Sequence, residues 1–390
     1  MTTAPRDLAE LAELVRRAAA AGEALAPRGS GTWWPDAAPG ARPVSLAALD
    51  VISDFNPADL VVTAGAGVPL GRLAARLAER GVWLPLDPPG SPARTVGGAL
   101  ATGSGGPLAA HYGPARDHVL GLVVVAGDGT VLRLGGRVMK NVAGLDLAKL
   151  VIGGCGAFGV IAEAHLRLRA RPRTDRTAVW LASADRAARV AAAALAAGAV
   201  PAALEVMSPP LAAALGWGGG GEREWALAVR ALGNAAEVAE ELEMVASAAG
   251  TPPALALEGE APWTAWRETV GTWPVVLRVG AEPAAWPEAV ALAAPHLGVT
   301  RGPAAASVTV PRGTVRLGAA RCAPEAARVL RAAAAARGWP VTLERADAAT
   351  RAAVGIWGAL PPATDALAHD LAGLFDPAGC LGGRGEGAGV

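Results

Sequence analysis

Glycine in this 390-residue chain is clustered, and the clusters constrain the fold more than any other feature of the sequence. TVGGALATGSGG at 95–106 holds Gly97, Gly98, Gly103, Gly105 and Gly106, and PRGSGT at 27–32 holds Gly29 and Gly31. A residue without a β-carbon weakens regular structure, so such runs persist where the chain turns left-handed or where another backbone or a ligand comes close. The 31 prolines beside 50 glycines predict a turn-rich fold. A composition 52% apolar and 18% charged excludes a disordered chain and allows a large core. The length favours two domains.

Lys plus Arg equals Asp plus Glu at 35 each, so no net field draws the chain to nucleic acid or to an anionic membrane surface. Cys155, Cys322 and Cys380 lie far apart without a CxxC pair, which predicts free thiols in a reducing compartment and neither disulfides nor a cysteine-held metal. The opening MTTAPRDLAELAELVRRAAA carries Asp7, Glu10 and Glu13 where a signal peptide needs an unbroken apolar run. The uncharged stretch Thr95–Ala115 is too rich in glycine for a spanning helix. The expectation is a cytoplasmic protein with no membrane span, at most peripheral on the inner membrane through partners.

Leu8, Leu11, Ala12 and Val15 recur at helical spacing before Gly22, and Leu70, Leu73, Ala74 and Leu77 mark a second helix ended by Gly81. DLVVTA at 59–64 and the alternating VIAEAHLRLR at 160–169, expected half-buried, read as strands. Two apolar runs around Asp128-Gly129 predict a hairpin with a two-residue turn. ARPRTDR at 170–176 breaks the pattern, which places a first domain at 1–172, joined again by 355–390, and a second at 173–354. Four strand-then-helix units follow, at 177–197, 225–249, 275–294 and 314–337, and the last two resemble each other. A ferredoxin-like αβ sandwich fits them, with Asn234 and Glu237 as a capping-box-like pair. GWGGGG at 216–221 reads as a mobile loop, and the tail past Gly382 as poorly ordered.

Two glycine patterns are decoys. Gly154, Gly156 and Gly159 spell GxGxxG, but a strand-like alternation follows where a dinucleotide fingerprint needs a helix. Gly65, Gly67 and Gly71 sit between strand and helix with the wrong spacing, which favours tight turns. PRGSGT is a better phosphate loop, since two glycines and Ser30 let successive N–H groups point into one concavity while Arg28 and Thr32 add donors; the alternative is an ordinary surface turn. A second such loop at 95–106 suits a long, flat ligand. Lys140 and Lys149 are the only lysines against 33 arginines, and they share one stretch with Asn141; this reads as a specific site or as a chance cluster. The histidines at 111, 118, 165, 296 and 369 have no metal-ligand spacing.

In order and spacing these segments resemble the p-cresol-methylhydroxylase-type, FAD-linked oxidase family, in particular its glycolate oxidase FAD-binding subunits. The resemblance is carried by APRGSGT at 26–32, ADLVVTAGAGVPLGRLAARLAERG at 58–81, LPLDPPG at 84–90, TVGG at 95–98, RDHVLG at 116–121, GGRVMKNVAGLDLAKLVIGGCGAFGVIAE at 135–163 and FDPAGCLGGRG at 375–385. It implies an α+β fold: a two-part FAD-binding domain plus a ferredoxin-like antiparallel αβ cap. It further implies that Arg28, Gly29, Ser30, Gly31 and Thr32, with Thr95, Val96, Gly97 and Gly98, hold the FAD pyrophosphate. Gly103, Ser104, Gly105 and Gly106 would pass near the flavin, and Gly156, Gly159, Val160 and Ile161 would lie against the cofactor. Arg116, Asp117 and Lys140 fall in matching segments, and Arg116 or Lys140 is a candidate cation near flavin N1. Thr32 stands where some relatives attach flavin through histidine, so FAD should be non-covalent.

Leu145 replaces a usual tyrosine, and Gly382-Gly383 an Asn-Pro. The histidines and arginine with which catalytic relatives hold a hydroxy-acid carboxylate have no counterpart, so catalytic residues stay unassigned. The implied function is hydride transfer from a 2-hydroxy acid such as glycolate or D-lactate to FAD, in a complex with a catalytic flavoprotein and an iron-sulfur subunit. The alternative is a non-catalytic FAD-binding or assembly subunit.

Overall fold

The computed structural model describes residues 3–34, 36–37, 39–136, 146–218, 224–297 and 304–381. They form two compact units, one of residues 1–105, 113–171 and 347–390, the other of 106–112 and 172–346. The expectations for Lys140, Asn141, Leu145, the Gly219–Gly221 part of the glycine loop, and the tail from Gly382 fall outside the described residues.

The first unit begins with α1 (Leu8–Ala21), where Asp7 accepts from the Glu10 N–H and Gly22 closes the last turn at φ +63°. There follow β1 (Leu25–Arg28), β2 (Arg42–Ser45), β3 (Ile52–Asn56), β4 (Val61–Gly65), α2 (Leu70–Ala78), β5 (Val82–Trp83) and α3 (Val96–Ala101). The short helix α4 (Ala109–Tyr112) belongs to the second unit. The first unit resumes with β6 (Val119–Val125), β7 (Val131–Gly135), α5 (Leu147–Val151), β8 (Val160–Arg167) and β9 (Arg169–Ala170).

Its main sheet is antiparallel in the order β3-β4-β8-β6-β7, with β1 and β2 forming a separate parallel pair. β8 lies in the middle. Ile161, Ala164 and Leu166 join the core with Leu73, Leu77 and Leu100 of α2 and α3. Val160 and Ala162 join the other core, with Leu11 and Val15 of α1. Residues 160–162 are therefore buried on both faces, which corrects the half-buried reading at that end of the strand.

The β6–β7 hairpin forms as expected, but its turn is longer. Val125 pairs with Val131, Gly129 N–H donates to Ala126 O, and Gly129 at φ +83° is the one residue of the Asp-Gly pair in the left-handed region. A three-residue loop closing on a left-handed glycine satisfies the strand twist as the two-residue turn would. Gly65 and Gly67 lie in a tight turn as expected, with Val68 N–H donating to Gly65 O at 3.1 Å, whereas Gly71 sits in the first turn of α2. None has positive φ, and a β-carbon on Gly71 would come within 2.9 Å of Pro92, while those on Gly65 and Gly67 would strike the carbonyls of Leu49 and Leu46. They allow close backbone approach.

The second unit continues with β10 (Thr174–Ala182), α6 (Ala184–Ala196), β11 (Ala203–Met207), α7 (Pro209–Ala214), β12 (Trp225–Gly233), α8 (Ala235–Ala249) and β13 (Leu255–Glu258). Then come α9 (Ala261–Gly271), β14 (Val275–Gly280), α10 (Trp286–Ala293), β15 (Ala305–Thr309), β16 (Thr314–Ala319), α11 (Pro324–Ala335) and β17 (Val341–Arg345). The sheet order β13-β10-β12-β11-β15-β16-β14-β17 is two ferredoxin-like halves joined edge to edge where β11 pairs with β15. The repeat is thus twofold, each half containing two of the four units read from sequence. The Asn234–Glu237 capping box is present at α8. Trp217, read as part of a mobile loop, is buried edge-on against Trp263, so that segment is anchored in the core.

The chain returns to the first unit through α12 (Ala348–Val354) and α13 (Pro362–Phe375). At the end of α13, Gly127 N–H donates to Phe375 O, and beyond it Leu25 N–H donates to Cys380 O at 2.6 Å. The buried Asp376 carboxylate accepts from the N–H groups of Cys380 and Leu381 at 2.9 and 3.0 Å. The final turn is so held against β1 and the β6–β7 hairpin.

Candidate functional site

A cleft of about 160 Å³ opens in the first unit, between the end of β1, the start of α3 and the start of β8. β1 is four residues long because the chain must leave it at Arg28 to form the glycine loop. Arg28, Gly29, Ser30, Gly31 and Thr32 all line the cleft. Gly31 sits at φ +70°, and the Arg28 guanidinium packs over it, 2.7 Å from where a β-carbon would lie. Ser30 and Thr32 hydroxyls meet at 3.0 Å. Among the described residues, the N–H groups of Gly29 to Thr32 have no protein acceptor. Consecutive unsatisfied donors around a left-handed residue make an anion-binding concavity.

The second loop is built differently. Thr95 is buried and caps α3 by accepting from Gly98 N–H at 3.3 Å, while Val96 and Gly97 donate to Val68 O and Ala66 O, each at 2.9 Å. These donors are spent on the fold, so Thr95, Gly97 and Gly98 contribute wall and shape. Val96 points into the core and does not line the cleft. A β-carbon on Gly29 would overlap Thr95 Oγ1, so the absence of one lets the two loops touch.

Cys155, Gly156, Gly159, Val160 and Ile161 form the third wall. Cys155 and Gly156 both have positive φ, and a β-carbon on Gly156 would meet nothing within 4 Å. Gly159, also at positive φ, must lack a side chain for space as well, because a β-carbon there would strike Val124 and the Val125 carbonyl.

Twelve of the residues read from sequence are therefore brought together, Lys140 lies outside the described residues, and the others are placed elsewhere. Gly103 packs on Gly153, Ser104 is buried, Gly105 and Gly106 do not line the cleft, and Gly106 lies in the second unit. Arg116 and Asp117 are exposed at the turn before β6 and do not line it either.

The sequence reading missed Trp33, Trp34, Arg94, Thr102 and Leu381, all of which line the cleft. The buried Arg94 donates to Pro89 O at 2.6 Å and Thr102 Oγ1 at 2.7 Å, and its guanidinium lies 4.5 Å from the Trp33 ring centre. The adjacent tryptophans after the glycine loop were the one available signal. Among the described residues no histidine, cysteine and carboxylate group is arranged to hold a metal ion, and no helix is long and apolar enough to cross a membrane.

A concavity of backbone donors with neighbouring glycine walls has the chemistry that suits the diphosphate of a dinucleotide. Residues 1–135 match the FAD-binding domain family. The chain is 43% identical over 141 residues to the glycolate oxidase subunit GlcE of Escherichia coli, covering 34% of this chain and 40% of that protein. It is 31% identical over 214 residues to the glycolate oxidase subunit GlcD of Bacillus subtilis, covering 53% and 45% respectively. A D-2-hydroxyglutarate dehydrogenase of Xanthomonas citri is 36% identical over 171 residues. The matches thus span less than half the length of these relatives.

Among solved structures, alkyldihydroxyacetonephosphate synthase superposes with a TM-score of 0.70 at 17% identity, covering 98% of this chain and 76% of that one. That likeness bears on the fold, and it supports the two-part FAD-binding fold with its antiparallel αβ partner. Residues 1–135 thus match an FAD-binding domain, the relatives of this chain are FAD-linked oxidoreductases, and its cofactor is FAD.

Proposed function

We propose that this chain is the FAD-binding subunit of a complex that oxidises a small 2-hydroxy acid such as glycolate or D-lactate. The observation that carries the reading is the row of four backbone donors from Gly29 to Thr32 facing the glycine walls of one cleft. The printed activities of the relatives point to hydroxy acids.

Gly29, Ser30, Gly31 and Thr32 would hold the FAD diphosphate through their N–H groups, with Arg28 adding charge. Thr95, Gly97 and Gly98 would shape one wall, and Gly156, Gly159, Val160 and Ile161 the other, excluding water. Leu381, held by Asp376, closes the cleft from the C-terminal side. When bound, FAD supplies the two-electron acceptor for the hydride that leaves the hydroxyl-bearing carbon. Thr32 at the position of a flavin-attaching histidine supports non-covalent binding. With three scattered cysteines and no cluster-binding pattern, the reading sends electrons onward to an iron-sulfur or flavoprotein partner. It places the complex in the cytoplasm, reaching the inner membrane only through partners.

One observation favours a second reading, an FAD-binding subunit that serves assembly without turnover: the sequence lacks the family's carboxylate-holding residues. The purified chain separates the two. A yellow protein whose flavin bleaches on adding glycolate or D-lactate, and reoxidises with an artificial acceptor, supports catalysis; a yellow, inert protein supports assembly. A colourless protein that takes up no FAD ends both.

A further inference from the structure

The glycine loop runs directly into Trp33 and Trp34, and each indole is backed by an arginine from a distant part of the chain. Arg94 lies 4.5 Å from the Trp33 ring centre and Arg351 of α12 lies 4.8 Å from that of Trp34. Both arginines are almost wholly buried, at 2% and 1% exposure. Arg351 also donates to Asp36 O at 2.9 Å, which ties α12 to the loop on the far side of Trp34. Trp33 is buried, but Trp34 is half-buried and lines the cleft with Asp36 and Ala37. Of the four tryptophans in the first unit, these two alone line it.

We infer that Trp34 is the stacking wall of the cofactor cleft, which takes a planar heteroaromatic ring of the dinucleotide, and that Arg351 is the positioning residue that fixes its indole. An indole with one face against a guanidinium is already oriented, so a ring that packs on it loses little freedom in ordering it. A flat, polarisable surface next to a row of phosphate-type donors suits a ring that hangs from a diphosphate, and stacking tolerates either heterocycle. The adenine and the isoalloxazine share this chemistry. The inference rests on the FAD reading of the cleft and adds a residue to it.

The test is FAD binding by the cofactor-free chain, followed by flavin fluorescence, with FMN and ADP as partial ligands. Trp34→Met keeps bulk but removes the ring, and should weaken FAD at least about tenfold; Trp34→Phe should stay within about threefold. If the isoalloxazine stacks, FMN loses the same factor in Trp34→Met and bound-flavin emission rises. If the adenine stacks, ADP loses it and emission is unchanged.

Arg351→Met should weaken the same partial ligand as Trp34→Met and spare the other, a selectivity that mere destabilisation would not produce. It carries the test should Trp34→Met fail to fold. Wild-type FAD affinity and unchanged emission in Trp34→Met, or equal weakening of FMN and ADP in Arg351→Met, overturns the inference alone. A wild-type chain that takes up no FAD overturns the functional reading instead.

Discussion

Gly29 and Thr95 come from segments sixty-odd residues apart, and they touch so closely that any β-carbon on Gly29 would overlap Thr95 Oγ1. The two glycine loops are therefore one packed object. Gly29→Ala should force them apart, lowering stability by about 1–3 kcal/mol and abolishing FAD uptake. Removing the hydroxyl in Gly29→Ala/Thr95→Ala should restore part of both. Thermal melts and the 450 nm absorbance of the purified variants check this, and an unaltered Gly29→Ala protein would refute the contact.

Gly97 and Gly98 are neighbours with different duties. A β-carbon on Gly97 points at Ala66, 2.6 Å from its own β-carbon, while one on Gly98 meets only Thr95 Oγ1 at 3.2 Å. From sequence, Gly97→Val is expected to fill phosphate space; the structure corrects this, because that side chain enters the core. Gly98→Val should block FAD while leaving the cofactor-free chain folded, and Gly97→Val should damage both. Circular dichroism beside FAD titration distinguishes them.

Asp376 is 2% exposed and accepts two backbone N–H groups, so Asp376→Ala leaves both donors buried and unmet. A loss of about 2–4 kcal/mol in urea unfolding is expected, with Asp376→Asn between that and wild type. A loss below about 0.5 kcal/mol would mean the turn finds other acceptors.

His118 is buried, and burial first of all holds its pKa below the ordinary 6.5, opposed by a backbone hydrogen bond with Gly113. Its Nε2 has no hydrogen-bond partner among the described residues. The unfolded chain thus binds a proton that the folded chain does not. This contribution to stability is fully present above about pH 6.5 and is lost as pH falls from there through the folded value, at no more than about 1.4 kcal/mol per pH unit. His118→Phe should flatten that part of a stability profile measured between pH 7 and 5. An unchanged slope would refute it.

Cys155 lines the cleft half-buried, whereas burial and the adjacent Asp376 push the Cys380 thiol up to about 12. Iodoacetamide at pH 8 should label Cys155 first and Cys380 only as the chain unfolds. FAD should slow labelling of Cys155. Peptide mapping over time reads both rates, and FAD without effect on Cys155 would count against the cleft assignment.

What could be read from sequence was local. Asp7 and Gly22 bound α1, Asn234 and Glu237 cap α8, and the glycine loop follows β1, because caps and turns depend on residues within four positions of one another. The tertiary structure alone decided which groups face the cleft. Strands β11, β13, β15 and β17 are short, and the all-buried β11 shows no alternation, so only their partners reveal them. Arg351 reaches Asp36 across 315 residues, Leu381 arrives from the far end of the chain, and Gly97 turns inward because Ala66 accepts its N–H. Such relationships arise from packing between segments that no spacing rule connects, and the direction of a side chain is set by the neighbour it meets.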